Sequence, residues 1–133
     1  MFSFAAVTRN GLCAVHGATP DLESLEEINT VQLCSEHWLQ LMWGDFIEQP
    51  GEFLGDRGGR PVYGEDYFMR TMKKLGLQVL IRSHQPNINP VIFHKRCLTL
   101  MTSFYYTFER HVAIVDLEKP LITSVDDLEI VEI

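Results

Sequence analysis

Cysteine is scarce in this chain: three residues in 133, at positions 13, 34 and 97. An odd, widely spaced set offers no disulfide framework and no Cys-x-x-Cys spacing for zinc, so reduced thiols and a cytoplasmic setting are expected. Long apolar runs are missing too, and nothing approaches the roughly 20 residues that a membrane span needs. The segment Met1–Asn10 lacks the basic start and long apolar stretch of a secretory signal and reads instead as a strand. Positive charge is in deficit, with 11 Lys and Arg against 18 Asp and Glu and a formal net charge of -7. That balance argues against a nucleic-acid footprint or attraction to anionic lipid, and any anion must be held locally. No internal repeat or low-complexity stretch divides the sequence. With 46% hydrophobic and 22% charged residues, it reads as one globular unit over residues 1–133.

The most informative stretch is Leu77-Gln-Val-Leu-Ile-Arg-Ser-His84-Gln85. Its apolar residues do not alternate cleanly, which predicts a strand buried on both faces. Gln85-Pro86-Asn87 then ends it. Ligands of open α/β sheets gather at the carboxyl ends of strands, which singles out His84. A histidine there also reads as a capping or core-edge residue satisfied by a backbone carbonyl, and this stretch taken alone favours that second reading. Leu12–Val15 repeats the pattern, an apolar strand ending in His16-Gly17. Two imidazoles at two strand ends make a candidate metal pair.

In chain order, Phe2–Thr8 and Leu12–Val15 form a predicted hairpin, with Asn10-Gly11 as a type I′ signal. Asp21 is placed to cap a short helix carrying Leu22, Leu25 and Ile28. Ser35 is placed to cap a second, Glu36–Trp43, whose apolar content predicts deep burial. Residues 46–59 show no periodicity and read as a long loop, of the kind that is usually functional or disordered. Arg57, between Asp56 and Gly58-Gly59, has two readings there: a phosphate anchor, or an exposed solubilising charge. Glu65–Lys74 is the clearest helix, with Tyr67, Phe68, Met72 and Leu75 on one stripe and Gly76 beyond its end. Val91–Phe93 and Arg96–Met101 follow as strands. Val112–Leu117, Leu121–Ser124 and Leu128–Ile133 read as an antiparallel meander. The fold class is α/β, or α+β in some schemes, with a mixed sheet.

Taken together, Leu12-Cys-Ala-Val-His16-Gly-Ala-Thr-Pro-Asp-Leu-Glu-Ser-Leu, Leu41-Met-Trp-Gly-Asp45, Asp56-Arg57-Gly-Gly-Arg-Pro-Val-Tyr63-Gly64 and Leu80-Ile-Arg-Ser-His84-Gln85 resemble the phosphoprotein phosphatases. These are serine/threonine phosphatases of the calcineurin-like metallophosphoesterase superfamily. The matches run in the family's order through Lys95-Arg-Cys-Leu-Thr-Leu, and they correspond to the C-terminal half of its catalytic domain. The resemblance implies half of a metallophosphatase β-sandwich flanked by helices. It also implies that His16 and His84 ligate the second of two divalent metals (Mn, Fe or Zn), that Arg57 binds substrate phosphate, and that Tyr106 lines the same pocket.

This sequence departs from the family in several places. Ala18 stands where the family has glycine, Asn89-Pro90 replaces an acidic, glycine-containing loop, and Phe104-Tyr105 replaces the Pro-Asn before the tyrosine. The motifs Gly-Asp-x-His-Gly, Gly-Asp-x-Val-Asp-Arg-Gly and Gly-Asn-His-Glu do not occur in the sequence. In the family they carry the remaining metal ligands and the general-acid histidine. Phosphomonoester hydrolysis needs an activated water, a cation on the phosphoryl oxygens and a proton for the leaving group. Two histidines and an arginine do not supply all three. A dinuclear site is therefore expected only in a complete domain, with the chain alone inactive and partnered by an N-terminal phosphatase half or by itself. The substrate implied is a phosphoprotein, with neither nucleic acid nor membrane as partner. The alternative is an inactive relic that serves as an interaction module. Either way, the strands at Leu77–Ile81 and Leu98–Met101 are expected to leave a sheet face in need of a cover.

Overall fold

A computed structural model describes residues 3–133. Its principal sheet has five strands in the order β1-β2-β6-β8-β7. They are β1 (Ala5–Val7), β2 (Leu12–Val15), β6 (Val79–Arg82), β7 (Val91–Ile92) and β8 (Cys97–Thr99). The central three, β2, β6 and β8, run parallel, and β1 and β7 pair antiparallel at the two edges. Phe2 and Met1, part of the expected first strand, lie outside the described residues.

Side chains alternate between the two faces of this sheet, and each face has its own core. Cys13, Leu80 and Cys97 pack with Leu41, Phe46, Phe68, Met72 and Phe93 beneath α1 (Glu36–Trp43) and α2 (Glu65–Lys74). Leu12, Val79 and Leu98 pack on the other side against Ile122 and Val125, with Ala113, Val115 and Leu128 around them. Burial on both faces explains the unbroken apolar run of β6. It also corrects the expectation of a bare sheet face. Val79, Leu80, Cys97 and Leu98 are at most 1% exposed, because the C-terminal segment folds back over the side that α1 and α2 leave open.

The two α-helices fall where capping and periodicity placed them. The Ser35 hydroxyl accepts a hydrogen bond from the Trp38 N–H at the start of α1 (3.2 Å). The stripe of α2 is buried as expected. Burial of α1 is narrower than predicted: Gln40 and Leu41 are sealed, whereas Trp43 is 40% exposed.

Other local readings change. Asp21 caps nothing, since the first helical turn is a 3₁₀-helix over Leu25–Thr30 behind Ser24, and the Asp21 carboxylate binds Arg70 and Lys74 instead. The β1–β2 turn is not type I′. Gly11 has φ +98° but Asn10 is not in the left-handed region, as in a three-residue loop closed by a glycine bulge. Residues 46–59 are not a structureless loop. Phe46 and Phe53–Asp56 within them belong to a three-stranded sheet of β3 (Asp45–Phe46), β4 (Phe53–Asp56) and β5 (Pro61–Tyr63), whose strands are too short for a sequence period to show. The antiparallel ending has two strands, β9 (His111–Ile114) and β10 (Glu129–Glu132). Leu121–Ser124 is not a strand; Ser124 caps a 3₁₀ turn, Val125–Asp127, through a capping box.

Candidate functional site

Strands β2 and β6 are parallel neighbours, so their carboxyl ends open on the same edge. His16 follows one and His84 lies just beyond the other. The Nε2 of His16 and the Nδ1 of His84 are 3.2 Å apart, with ring centroids separated by 5.0 Å. His84 has φ +71°, a left-handed conformation that costs a non-glycine residue roughly 1–2 kcal/mol. Backbone strain of this kind concentrates at functional sites.

Two close backbone approaches bring a third element to the pair. The Gly17 N–H donates to Leu41 O (2.6 Å) and the Ala18 N–H to Gln40 O (2.9 Å), docking the end of β2 on the last turn of α1. A Cβ on Gly17 would sit 2.8 Å from Gln40 O, and one on Gly44 2.6 Å from the Ala18 Cβ, so both glycines are required by contact. The chain leaving α1 therefore delivers Trp43 and Asp45 beside the histidines. The Trp43 ring stands edge-on to His84, centroids 5.4 Å apart. The Asp45 Oδ1 lies 3.6 Å from the outer nitrogen of His84, Nε2. Both of these atoms are buried and neither has a hydrogen-bond partner. Asp45 is the residue that sequence reasoning passed over; its signal was present in Leu41-Met-Trp-Gly-Asp45, the motif that carried part of the resemblance.

Charge at the site follows from burial. The pKa of His84 falls to about 4, first through desolvation, then through His16, Arg82 and Arg60. Desolvation and then Arg82 lower that of His16. Both imidazoles are thus neutral and able to donate lone pairs near pH 7. Burial raises the Asp45 carboxyl above its usual range, against the opposing pull of Arg82, Arg60 and Arg57.

The other two sequence-chosen residues sit differently. Tyr106 is 56% exposed and lines a cavity of about 210 Å³ with His16, Ser83, His84, Met101, Thr102 and Ser103. Arg57 is exposed at the tip of the β4–β5 hairpin, where Gly58 (φ +64°) and Gly59 (φ +86°) make the type I′ turn and Arg57 N–H donates to Arg60 O. Arg57 does not line the histidine cavity; its charge reaches the site through Asp45. Arg60, unselected from sequence, lies nearer, with its guanidinium carbon 5.8 Å from the centroid of the Trp43 ring. A larger cavity, about 390 Å³, lies elsewhere between Leu39, Phe53, Tyr63 and Arg70. Two of its carboxylates, Asp21 and Glu52, are already held by Arg70.

The 3.2 Å contact is a hydrogen bond in which one imidazole donates to the other, and its length is also close to the spacing of two donors on one ion. Two nitrogens bound at roughly 2.0–2.1 Å to a tetrahedral ion lie roughly 3.4 Å apart, close to the 3.2 Å between His16 and His84. An ion on the inner nitrogens would leave the Nε2–H of His84 directed at Asp45, the carboxylate–histidine–metal arrangement. The donor set is nevertheless half a site. Among the described residues no group of three His, Cys, Asp or Glu side chains is placed to hold a metal ion.

No family model matches the sequence, and no curated protein matches it. Among solved structures, the fold is similar to a protein serine/threonine phosphatase from Saccharomyces cerevisiae with similarity to human phosphatase PP5, at a TM-score of 0.70 and 17% identity. The likeness covers 97% of this chain and 46% of that one, so the chain spans about half the length of the structure it matches. At that identity the fold is what is shared. The mixed α/β arrangement follows the fold of that structure over about half its length.

Proposed function

We propose that this chain is the C-terminal half of a metal-dependent serine/threonine protein phosphatase, hydrolysing phosphomonoesters of phosphoproteins once an N-terminal half completes its site. The observation that carries this reading is the convergence of two neutral imidazoles at 3.2 Å, backed by Asp45, at the open strand edge of a phosphatase-like fold. Divalent ions, Mn, Fe or Zn, would lower the pKa of water and neutralise charge on the phosphoryl oxygens when bound. His16 Nε2 and His84 Nδ1 are the donors this half contributes. Asp45 Oδ1 stands 3.6 Å from His84 Nε2, beyond hydrogen-bond reach, and its charge favours the tautomer that carries the proton on that nitrogen. Arg57 supplies a guanidinium that can meet phosphate with two parallel donors, which lysine cannot reproduce. Tyr106 walls the cavity beside the pair.

A polypeptide carrying Gly-Asp-x-His-Gly, Gly-Asp-x-Val-Asp-Arg-Gly and Gly-Asn-His-Glu would supply the remaining ligands and the general acid. No helix among the described residues is long and apolar enough to cross a membrane, and dispersed free thiols support a cytoplasmic setting. The test is to co-express the chain with such a half and measure Mn-dependent phosphate release from a phosphopeptide. Release should require both polypeptides, vanish with His84→Ala, and show a raised KM with Arg57→Lys. Release that survives His84→Ala would contradict the assignment, and unchanged kinetics in Arg57→Lys would return Arg57 to a solubilising role.

A second reading, an inactive relic used as an interaction module, draws on one observation. Phe104, Tyr105 and Phe108 are 62%, 86% and 90% exposed on one short loop beside the cavity, a grouping of aromatic side chains that a partner could cover. Failure of every reconstituted pair to release phosphate, with retained binding of an N-terminal half, would favour it.

A further inference from the structure

Arg82 ends the central strand as the largest of the fully buried side chains, with 0% of its side chain exposed. A guanidinium stays protonated and must find acceptors for its donors. Those acceptors come from three separate segments. Nε donates to Gly17 O (2.6 Å), Nη2 to Gly44 O (2.9 Å) and Nη1 to Gln85 Oε1 (2.8 Å). Each acceptor adjoins a site residue: Gly17 follows His16, Gly44 precedes Asp45 and Gln85 follows His84. Gln85 extends the lattice, accepting from the Phe46 N–H (2.9 Å) and donating to Phe46 O (2.8 Å). The guanidinium also lies over the Phe46 ring, 5.3 Å from its centroid. Its nearest carboxylate, Asp45, is 3.9 Å away, too far for a hydrogen bond.

We infer that Arg82 is the positioning residue of this site: one buried fork ties the segments bearing His16, Asp45 and His84 into a single register and thereby sets the gap between the two imidazoles. It does not touch substrate, since its side chain is sealed from solvent. Arginine suits this task because its planar fork directs donors outward in fixed directions. The single ammonium of lysine, on a flexible stem, cannot hold three acceptors at those places. The positive φ of His84 belongs to a tight turn closed by the Gln85 N–H, which donates to Ser83 O (2.8 Å), and the side chains of residues 82 and 85 are hydrogen-bonded to each other across the same turn.

The metal arm of this inference rests on the reading of the pair as metal donors; a metal-free arm does not. Arg82→Lys is compared with the wild-type chain by nuclear magnetic resonance without metal, reading inter-ring NOEs between His16 and His84 and the tautomer pattern of their nitrogens. Zinc affinity is then measured by competition calorimetry. Positioning predicts that a folded Arg82→Lys loses the inter-ring NOEs and binds zinc roughly 10–100-fold more weakly, as when outer-shell partners of a metal site are removed. A merely structural arginine would lower Tm while leaving NOEs, tautomers and zinc affinity unchanged, and that result overturns the inference. Should Arg82→Lys fail to fold, Gln85→Leu removes one arm and the clamp on Phe46 while keeping the guanidinium. Loss of the NOEs in that variant supports positioning, and their retention overturns it. A wild-type chain that shows the NOEs but binds no zinc even when paired with an N-terminal half would sink the metal reading alone.

Discussion

Replacing Gly44 with alanine sets two opposing effects against each other. Gly44 has φ -66° and ψ 127°, values any residue adopts. Stiffening the unfolded chain should therefore stabilise the fold by roughly 0.4–1 kcal/mol if nothing else changed. The new Cβ, however, would lie 2.6 Å from the Ala18 Cβ and 2.6 Å from Gln40 O. Neither neighbour is the end of a flexible side chain, so the end of β2 must move off the last turn of α1. Overpacking of this sort costs roughly 1–3 kcal/mol, and here it also stretches the Ala18–Gln40 hydrogen bond. The net expectation is a loss of roughly 1–2 kcal/mol, a fall in Tm of roughly 3–10 °C for a chain of this size. Thermal unfolding followed by circular dichroism measures it, and amide shifts of His16 and Asp45 report whether the segments have parted. A Tm equal to or above wild type would show that the contact is not tight, and the docking of His16 against Asp45 would lose its basis.

Three further outcomes follow from burial and charge. Desolvation raises the thiol pKa of both Cys13 and Cys97 to about 12, so a thiol reagent at pH 8 should modify only the exposed Cys34 quickly and all three after denaturation; rapid modification of more than one native thiol would contradict the packing of β2 and β8. Asp127 is held near pKa 2 by the Lys119 ammonium and the backbone N–H groups of Thr123 and Ser124, below its ordinary 3.8. Its stabilisation is therefore present above about pH 4 and lost as pH falls from there toward 2, so the protection factors of the amides over residues 123–128, corrected for intrinsic exchange, should fall in that window and should not do so in Asp127→Asn. Finally, the exposed loop should make the isolated chain bind a hydrophobic dye and self-associate in sedimentation at low micromolar concentration, and replacing Phe104, Tyr105 and Phe108 with serine should abolish both.

Much of the fold was legible because local chemistry and tertiary context agree. Glu65–Lys74 has a full apolar stripe and an end signal, and it is a helix at those residues. Glu36–Trp43 was legible from Ser35 for the same reason. The small sheet of β3, β4 and β5 was not, because strands of two to four residues are made by pairing rather than by pattern. The self-covered sheet was missed because Ile122 and Val125 reach it from a segment without strand pairing or a helical stripe. At the site, His16 and His84 stood out as polar ends of apolar strands. Asp45 and Arg82 did not, since one follows a helix and the other is embedded in a strand as an arginine that looks misplaced until its three acceptors are seen.

The central claim is that this chain carries two inner-sphere donors of a metal site, and side-chain nitrogen spectra of the isotope-labelled chain, paired with an unlabelled N-terminal half, address it most directly during a zinc titration. The chain has five histidines, at 16, 37, 84, 94 and 111, which serve as internal controls. The account predicts that zinc shifts His16 Nε2 and His84 Nδ1 together, at one midpoint, while His37, His94 and His111 stay unchanged. A titration in which the pair does not respond, or responds only alongside the other three histidines, would contradict it.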